Sequence, residues 1–147
     1  MALCLAESLI ECKGFDPGDQ MRWYLRWHRE GHLSSTGRCF DIGNTIRDAL
    51  MRFKRTGEAY SGSADKYLPG NGSIMRLAPV SLFFADGPEK AIEMSGDSSR
   101  TTHGNIFCID ACRYFEVLIA GAVSDTSKEE LLSAMYGPVT GYWNRNP

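Results

Sequence analysis

Two short segments carry most of the chain's candidate chemistry. The first is Gly70-Asn71-Gly72-Ser73, running on into Ile74-Met75-Arg76, and the second is Ser98-Ser99-Arg100-Thr101-Thr102-His103-Gly104. Each sets small residues and backbone donors beside a polar or cationic side chain, and each leads into an apolar stretch. A helix N-terminus that holds an anion is arranged in this way: free N–H groups, the positive end of the helix dipole, and glycines that admit a phosphate. Two such loops predict a site for a phosphorylated ligand. In the first, the glycines admit positive φ, Ser73 is placed to cap the next helix, and the Asn71 amide and Ser73 hydroxyl suit phosphate or ribose oxygens. Arg76 either reaches back to a phosphate or pins a loop through carboxylates. In the second, His103 is placed to donate to a ribose hydroxyl or phosphate or to move a proton, with a structural hydrogen bond as its alternative role. No Lys-Ser or Lys-Thr follows Gly72 at the required spacing, so this is not a Walker loop.

The remaining candidates are weaker. Ser34-Ser35-Thr36-Gly37-Arg38 with Phe40-Asp41-Ile42-Gly43-Asn44-Thr45 is a third polar loop, in which Asp41 is placed to N-cap the following helix. His28 and His32 have a metal-ligand spacing, but Gly31 breaks the helix between them and no carboxylate or cysteine accompanies them. Asp110 and Arg113 share a helix face and pair. No cluster of acids has metal-ligand spacing, no carboxylate pair suits glycosidic chemistry, and no serine has an evident base and orienting partner.

The elements that must position these residues are helices joined by glycine-rich loops. Met1 to about Lys13 is helical, with Leu5, Leu9 and Cys12 on one face and Gly14 ending it. Asp16-Pro17 opens a second helix that Gly31 closes and that places Trp23 and Trp27 one turn apart, as core residues. A third runs from about Asp41 or Ile42 to Arg55 with Ile46, Leu50 and Phe53 inward. Residues 57 to 72 form a long loop of the functional or mobile kind. An apolar helix spans Ile74 to Phe84, kinked or restarted at Pro79. Another runs from Pro88 to about Ser95. The longest segment, Asn105 to Val123, spaces Cys108, Ala111, Cys112, Phe115, Leu118, Ile119 and Ala122 as a buried helix face. Ser127 and Glu130 form a capping box for a last helix to about Tyr136. Nothing alternates with period two, so the fold class is all-α: a compact, multi-helix orthogonal bundle over residues 1–136, with an extended or poorly ordered tail at 137–147.

The 147 residues suit one domain that buries roughly two-thirds of its unfolded surface. A net charge of −2 with interspersed basic residues leaves no nucleic-acid footprint. No apolar run reaches the ~20 residues of a membrane span. The apolar N-terminus lacks a basic leader and is interrupted by Glu7, which reads as a helix rather than a signal peptide. Five cysteines without a Cys-x-x-Cys pair read as buried, reduced thiols of a cytoplasmic protein.

With these motifs in this order, the sequence resembles the ADP-ribosylglycohydrolase family, which includes the hydrolase that removes ADP-ribose from dinitrogen reductase. The matching stretches are residues 1–9, 37–45, 70–80 and 99–104, together with 110–114. The resemblance implies a partial version of that all-helical fold. It implies cleavage of the glycosidic bond between ADP-ribose and a modified target, assisted by a pair of divalent cations, Mg²⁺ or Mn²⁺. It assigns Gly70, Asn71, Gly72 and Ser73 to ribose and pyrophosphate, sets His103 with Gly104 beside the ribose near the metal centre, and leaves scaffold roles to Arg76 and Asp41. Family members also carry two acidic clusters that hold the metals, one ahead of the helix that starts here at Met1 and one beyond the last residue. Neither occurs in this sequence. The expectation is therefore a central fragment with ADP-ribose or an ADP-ribosylated protein as partner. It has no catalytic residue, no metal ligand and no tightly bound metal of its own, and is inactive in isolation. The alternatives are a non-catalytic ADP-ribose-binding module or a non-functional gene fragment. Exposed apolar faces and association, with itself or with complementary segments, follow from the same comparison.

Overall fold

The computed structural model describes residues 1–67, 70–134, 136–137, 139 and 141–145. Its elements are α1 (Ala2–Cys12), α2 (Pro17–Glu30), α3 (Asn44–Thr56), a 3₁₀ turn (Ile74–Arg76), α4 (Ala78–Phe83), α5 (Pro88–Arg100), α6 (Ile106–Val123), α7 (Lys128–Leu131) and α8 (Tyr142–Arg145). The fold is all-α, and among the described residues the extended backbone amounts to one isolated bridge, Ser63 with His103.

Local chemistry sets most boundaries. Asp16 caps α2 by accepting from the Asp19 N–H at 2.7 Å, with Pro17 in the first turn, and Gly31 ends the helix at φ 69°. A side chain at Gly31 is excluded twice, since its Cβ would meet the Gly37 carbonyl oxygen at 2.2 Å. Pro79 marks a restart: the apolar stretch expected as one helix is a 3₁₀ turn followed by the short α4. Helix α5 runs five residues past its expected end, to Arg100, because Ser95, Ser98 and Ser99 are buried in packing rather than exposed in a loop.

The main core joins α1, α2 and α3 to α4 and α6 through Leu5, Leu9, Met21, Tyr24, Trp27, Leu50 and Cys112. Trp23 packs on this core half-buried, with the Arg26 guanidinium 4.6 Å from its ring centre. The inward set of α3, Ile46, Leu50 and Phe53, is as its spacing predicts. In α6 the buried stripe is different: Cys108 and Cys112 are shared with the expected face, but Ile109, Glu116, Val117 and Gly121 are buried in place of Ala111, Phe115, Leu118, Ile119 and Ala122. This helix is apolar on nearly every side, so periodicity allows several faces, and close packing against α5 and α7 selects one of them. A Cβ at Gly96 of α5 would meet Arg113 Nε at 2.7 Å, and one at Gly121 would meet the Leu131 side chain at 2.5 Å. Phe107, Tyr114 and Phe115 are left exposed.

Other details depart from expectation. Cys12 is exposed and Cys39 half-buried, so only Cys4, Cys108 and Cys112 are interior thiols. The Ser127 cap forms, its Oγ accepting from the Glu130 N–H at 3.2 Å, but α7 ends at Leu131. The tail at 137–147 is not simply extended. Tyr142 begins the turn α8 and packs with Ile92 and Val117 in a second, smaller core. Residues 138, 140, 146 and 147 of that tail lie outside the described residues.

Leu50 is fully buried at the centre of the main core. Leu50→Ala is expected to cost about 2–5 kcal/mol, read as a lowered urea midpoint with an unchanged slope.

Candidate functional site

The Gly70–Ser73 loop and the α5–α6 corner come together, but not as two helix N-termini. Residues 98–100 form the last turn of α5, whose free carbonyls organise the corner. The Ser98 carbonyl accepts from Arg76 Nη2 at 3.1 Å and from Thr101 Oγ1 at 2.8 Å. The Ser99 carbonyl accepts from the His103 N–H at 2.7 Å, and the Arg100 carbonyl from the Gly62 N–H at 3.0 Å. Only after this corner does a helix N-terminus face the loops: Asn105 caps α6, its Oδ1 accepting from the Phe107 N–H at 2.9 Å.

Arg76 is the hub. Its side chain is 2% exposed, donating from Nη1 to the Gly72 carbonyl at 3.1 Å and from Nη2 to Ser98, with Thr101 Oγ1 at 3.3 Å. The guanidinium lies 4.9 Å from the centre of the Tyr24 ring. Gln20 Nε2 lies 2.8 Å from the Tyr24 hydroxyl and 3.0 Å from Ser98 Oγ, which extends the network to α2. Of the two roles open to Arg76 in the sequence, pinning is the one observed, through carbonyls rather than carboxylates.

His103 lies beneath the loop. A Cβ at Gly70 would sit 3.0 Å from its Nε2, and one at Gly72 would sit 2.8 Å from its Cε1 and 2.7 Å from Ile46 Cδ1. Neither glycine has positive φ, so close approach to the imidazole, not left-handed backbone, requires glycine at both positions. Ser73 is buried and makes no capping hydrogen bond, contrary to its expected role. Asn71 is exposed at the tip, while its carbonyl accepts from the Met75 N–H at 3.1 Å. His103 Nδ1 lies 2.8 Å from Thr102 Oγ1, and burial, reinforced by the Arg76 charge, lowers its pKa to about 4. The ring is therefore neutral at pH 7. Gly104 packs against the backbone of Gly62 and Ser63.

The long loop is a strap over this corner. Ser61 is fully buried, Asn105 Nδ2 donates to the Asp65 carbonyl at 2.7 Å, and the Arg100 guanidinium stacks 4.2 Å from the Tyr60 ring centre. Residues 68 and 69 of that loop lie outside the described residues. Sequence reading missed Gln20, Tyr24 and Thr101 as positioning residues. The Gln20–Tyr24 spacing of one helical turn was the available signal.

Asp41 does not cap α3; Gly43 occupies that position, and Asp41 has φ 52°. It lies instead on the wall of a groove of about 630 Å³, together with Trp27, Phe40, Ile46, Gly72 and Arg76. Of the six predicted site residues, only Gly72 lines this groove. His32 pairs with Glu7 at 3.1 Å rather than with His28, and Arg113 pairs with Asp110 at 3.1 Å. Among the described residues, no three of His, Cys, Asp or Glu come close enough to hold a metal ion. Among the described residues that line the groove, Asp41 is the only carboxylate. The donor set on these loops does not fit a pair of divalent cations, which require several oxygen ligands each. Among the described residues, no helix is long and apolar enough to cross a membrane.

The family model for ADP-ribosylglycohydrolase matches residues 1–144 of the chain. The chain belongs to the ADP-ribosylglycohydrolase family. Within this family it is 34% identical over 139 residues to the ADP-ribosylarginine hydrolase Tri1 of Serratia proteamaculans (strain 568), a match covering 95% of this chain and 38% of that protein. To the ADP-ribosylarginine hydrolase Tri1 of Pseudomonas putida (strain GB-1) it is 36% identical over 133 residues, covering 90% of this chain and 36% of that one. A solved ADP-ribosylglycohydrolase-related protein complex superposes with a TM-score of 0.74 at 40% identity, covering 89% of this chain and 41% of that one. This ADP-ribosylglycohydrolase chain thus spans less than half the length of the relatives it matches.

Two measurements check the site. Gly72→Ala forces its new methyl group against His103 and Ile46, and is expected to cost about 1–3 kcal/mol in urea unfolding. The His103 ring is expected to titrate near pH 4 by NMR, against 6.5 for an unfolded histidine. The unfolded chain then binds the extra proton first, so His103 makes the fold less stable as pH falls from 6.5 towards 4. His103→Gln removes that slope.

Proposed function

We propose that this chain recognises ADP-ribose, in the setting of arginine-linked ADP-ribosylation, and does not cleave the glycosidic bond by itself. The observation that carries the reading is the Gly70–Ser73 loop held against His103 and pinned by Arg76, in a chain that matches its family over nearly all its length. In this proposal the exposed Asn71 amide and the Gly70 and Gly72 backbone meet ribose and pyrophosphate oxygens. The Gly104 backbone and the α6 N-terminus add donors, with Ser73 and the neutral His103 as the floor that shapes the loop. The arginine linkage is taken from the two hydrolases named above, which are described as ADP-ribosylarginine hydrolases.

The non-catalytic part of the proposal rests on the donor set. Divalent cations would supply a polarised water and fix the ribose hydroxyls when bound. The described residues offer no carboxylate cluster to hold them. What remains is positioning by backbone and amide groups. A partner that brings acidic residues to the groove would complete the chemistry, and the exposed Leu3, Phe40 and Met75 on its wall are apolar surface on which such a partner can pack.

Calorimetric titration with ADP-ribose, with and without Mg²⁺ or Mn²⁺, tests both halves. The expected outcome is metal-independent binding that Asn71→Ala weakens by about tenfold or more, the loss of one hydrogen bond to a charged ligand. No ADP-ribose release from ADP-ribosylated arginine is expected with either metal. Metal-dependent turnover by this chain alone would refute the non-catalytic part, and absence of binding would refute recognition.

A further inference from the structure

Among the described residues, Glu116 is the one carboxylate sealed inside the helical bundle. It sits on the buried face of α6 with no solvent exposure. Its Oε2 lies 3.4 Å from Ser95 Oγ of α5, a long contact, and its Oε1 has no hydrogen-bond partner. The hydroxyl of Ser81, from α4, also faces it, and Ser81 Oγ is itself buried without a partner in the geometry observed. Ser81 already has a proton to donate, but a carboxylate sealed here would still carry an uncompensated charge, which a proton on Glu116 removes.

No charge is available to hold an ionised Glu116. Helix α4 has no charged side chain. On α5, Glu89, Lys90 and Glu93 are at the surface, and Arg100 is committed to Asp97 at 3.0 Å. On α6, Arg113 is committed to Asp110, on the 3₁₀ turn that also packs on α6 Arg76 is committed to the Gly72 and Ser98 carbonyls, and on α7 Lys128, Glu129 and Glu130 are exposed. An anion in this position would have no counter-ion and two serine hydroxyls at most, a costly state in an apolar interior.

We propose that Glu116 folds as a neutral acid whose carboxyl O–H donates to the Ser81 hydroxyl, and that its ionisation loosens the α4–α5–α6 junction, making it a pH-sensitive pin beneath the two loops. Burial raises the pKa of this group above its ordinary value of 4.5, and the two serine hydroxyls oppose that shift without overcoming it. The linkage follows from the geometry of the chain. Helix α4 is entered through the Arg76 turn, and α5 ends at the Ser98–His103 corner, so both loops are anchored on helices that meet at Glu116. The proposal stands apart from the ADP-ribose reading, because its readout is the proton and the fold rather than the ligand.

The sign is fixed by linkage. Above pH 4.5 the unfolded chain releases the Glu116 proton while the folded chain keeps it. Rising pH therefore favours unfolding, by up to about tenfold in the folding equilibrium constant per pH unit, until the folded group also ionises. His103 titrates with the opposite sign, so the informative quantity is the difference between the wild type and Glu116→Gln. Chemical unfolding is measured for both from pH 4.5 to 8. The expected result is a variant that gains stability over the wild type progressively with pH. Parallel profiles would overturn the proposal. Should Glu116→Gln fail to fold, the infrared spectrum of the wild type, followed upward from pH 4.5, decides. A carbonyl band of a protonated carboxylic acid is expected in the folded chain and lost on unfolding, and its absence would equally overturn the proposal.

Discussion

The buried guanidinium of Arg76 is the constraint from which the arrangement of the loops follows. A cation with 2% exposure and no carboxylate partner among the described residues has to be satisfied by neutral acceptors. It finds them in the Gly72 carbonyl, the open Ser98 carbonyl of α5 and the face of Tyr24. Each choice fixes an element: the loop, the end of α5, and α2. The last-turn carbonyls of α5 carry the negative end of that helix dipole, so a guanidinium is the favourable group to place there. Burial beneath the loop, and secondarily this charge, disfavour protonation of His103, on whose neutral ring Gly70 and Gly72 pack directly.

This arrangement explains which parts of the molecule were legible in the sequence. Where one residue decides a local geometry alone, it could be read directly. Asp16 with Pro17 starts α2, Gly31 stops it, and Ser127 caps α7. The inward set of α3 was equally clear, because its polar and apolar faces are sharply divided. Legibility failed where the decision is made by a distant partner. The glycines of the first loop read as left-handed positions, yet their requirement comes from an imidazole more than thirty positions away. The serines at 98 and 99 read as loop hydroxyls, yet they line a helix end whose acceptors are used by Arg76 and by the strap. Helix α6 offered too many apolar faces for periodicity to choose among, and the contacts of Gly96 and Gly121 made the choice.

The strap at residues 57–67 shows how a long loop becomes part of a scaffold. A loop of this length without secondary structure normally remains mobile or serves a ligand. Here its backbone supplies what the α5–α6 corner lacks: a donor for the Arg100 carbonyl from Gly62 and an acceptor for the Asn105 amide from Asp65. Gly62 and Gly104 approach so closely that a Cβ on Gly62 would lie 2.5 Å from the Gly104 nitrogen. The corner and the strap therefore satisfy each other's buried polar groups, and neither is stable in this form without the other.

Pre-formed loops and missing charge have opposite consequences for chemistry. A ligand that meets a loop already held by Arg76 and His103 incurs little ordering cost, which favours binding. In the proposed reading, however, backbone N–H groups and an exposed amide would contact the unreacted portions of an ADP-ribosyl group as well before bond breaking as during it. Interactions that are equal in the ground and transition states tighten binding without lowering the barrier. Acceleration needs groups that respond to charge developing at the anomeric carbon and at the attacking water, and clustered carboxylates with their cations are what such a site would use. In the proposed reading the scaffold supplies the first contribution. The second would need acidic residues beside the Asp41 and Gly72 side of the groove, whose wall is mostly apolar.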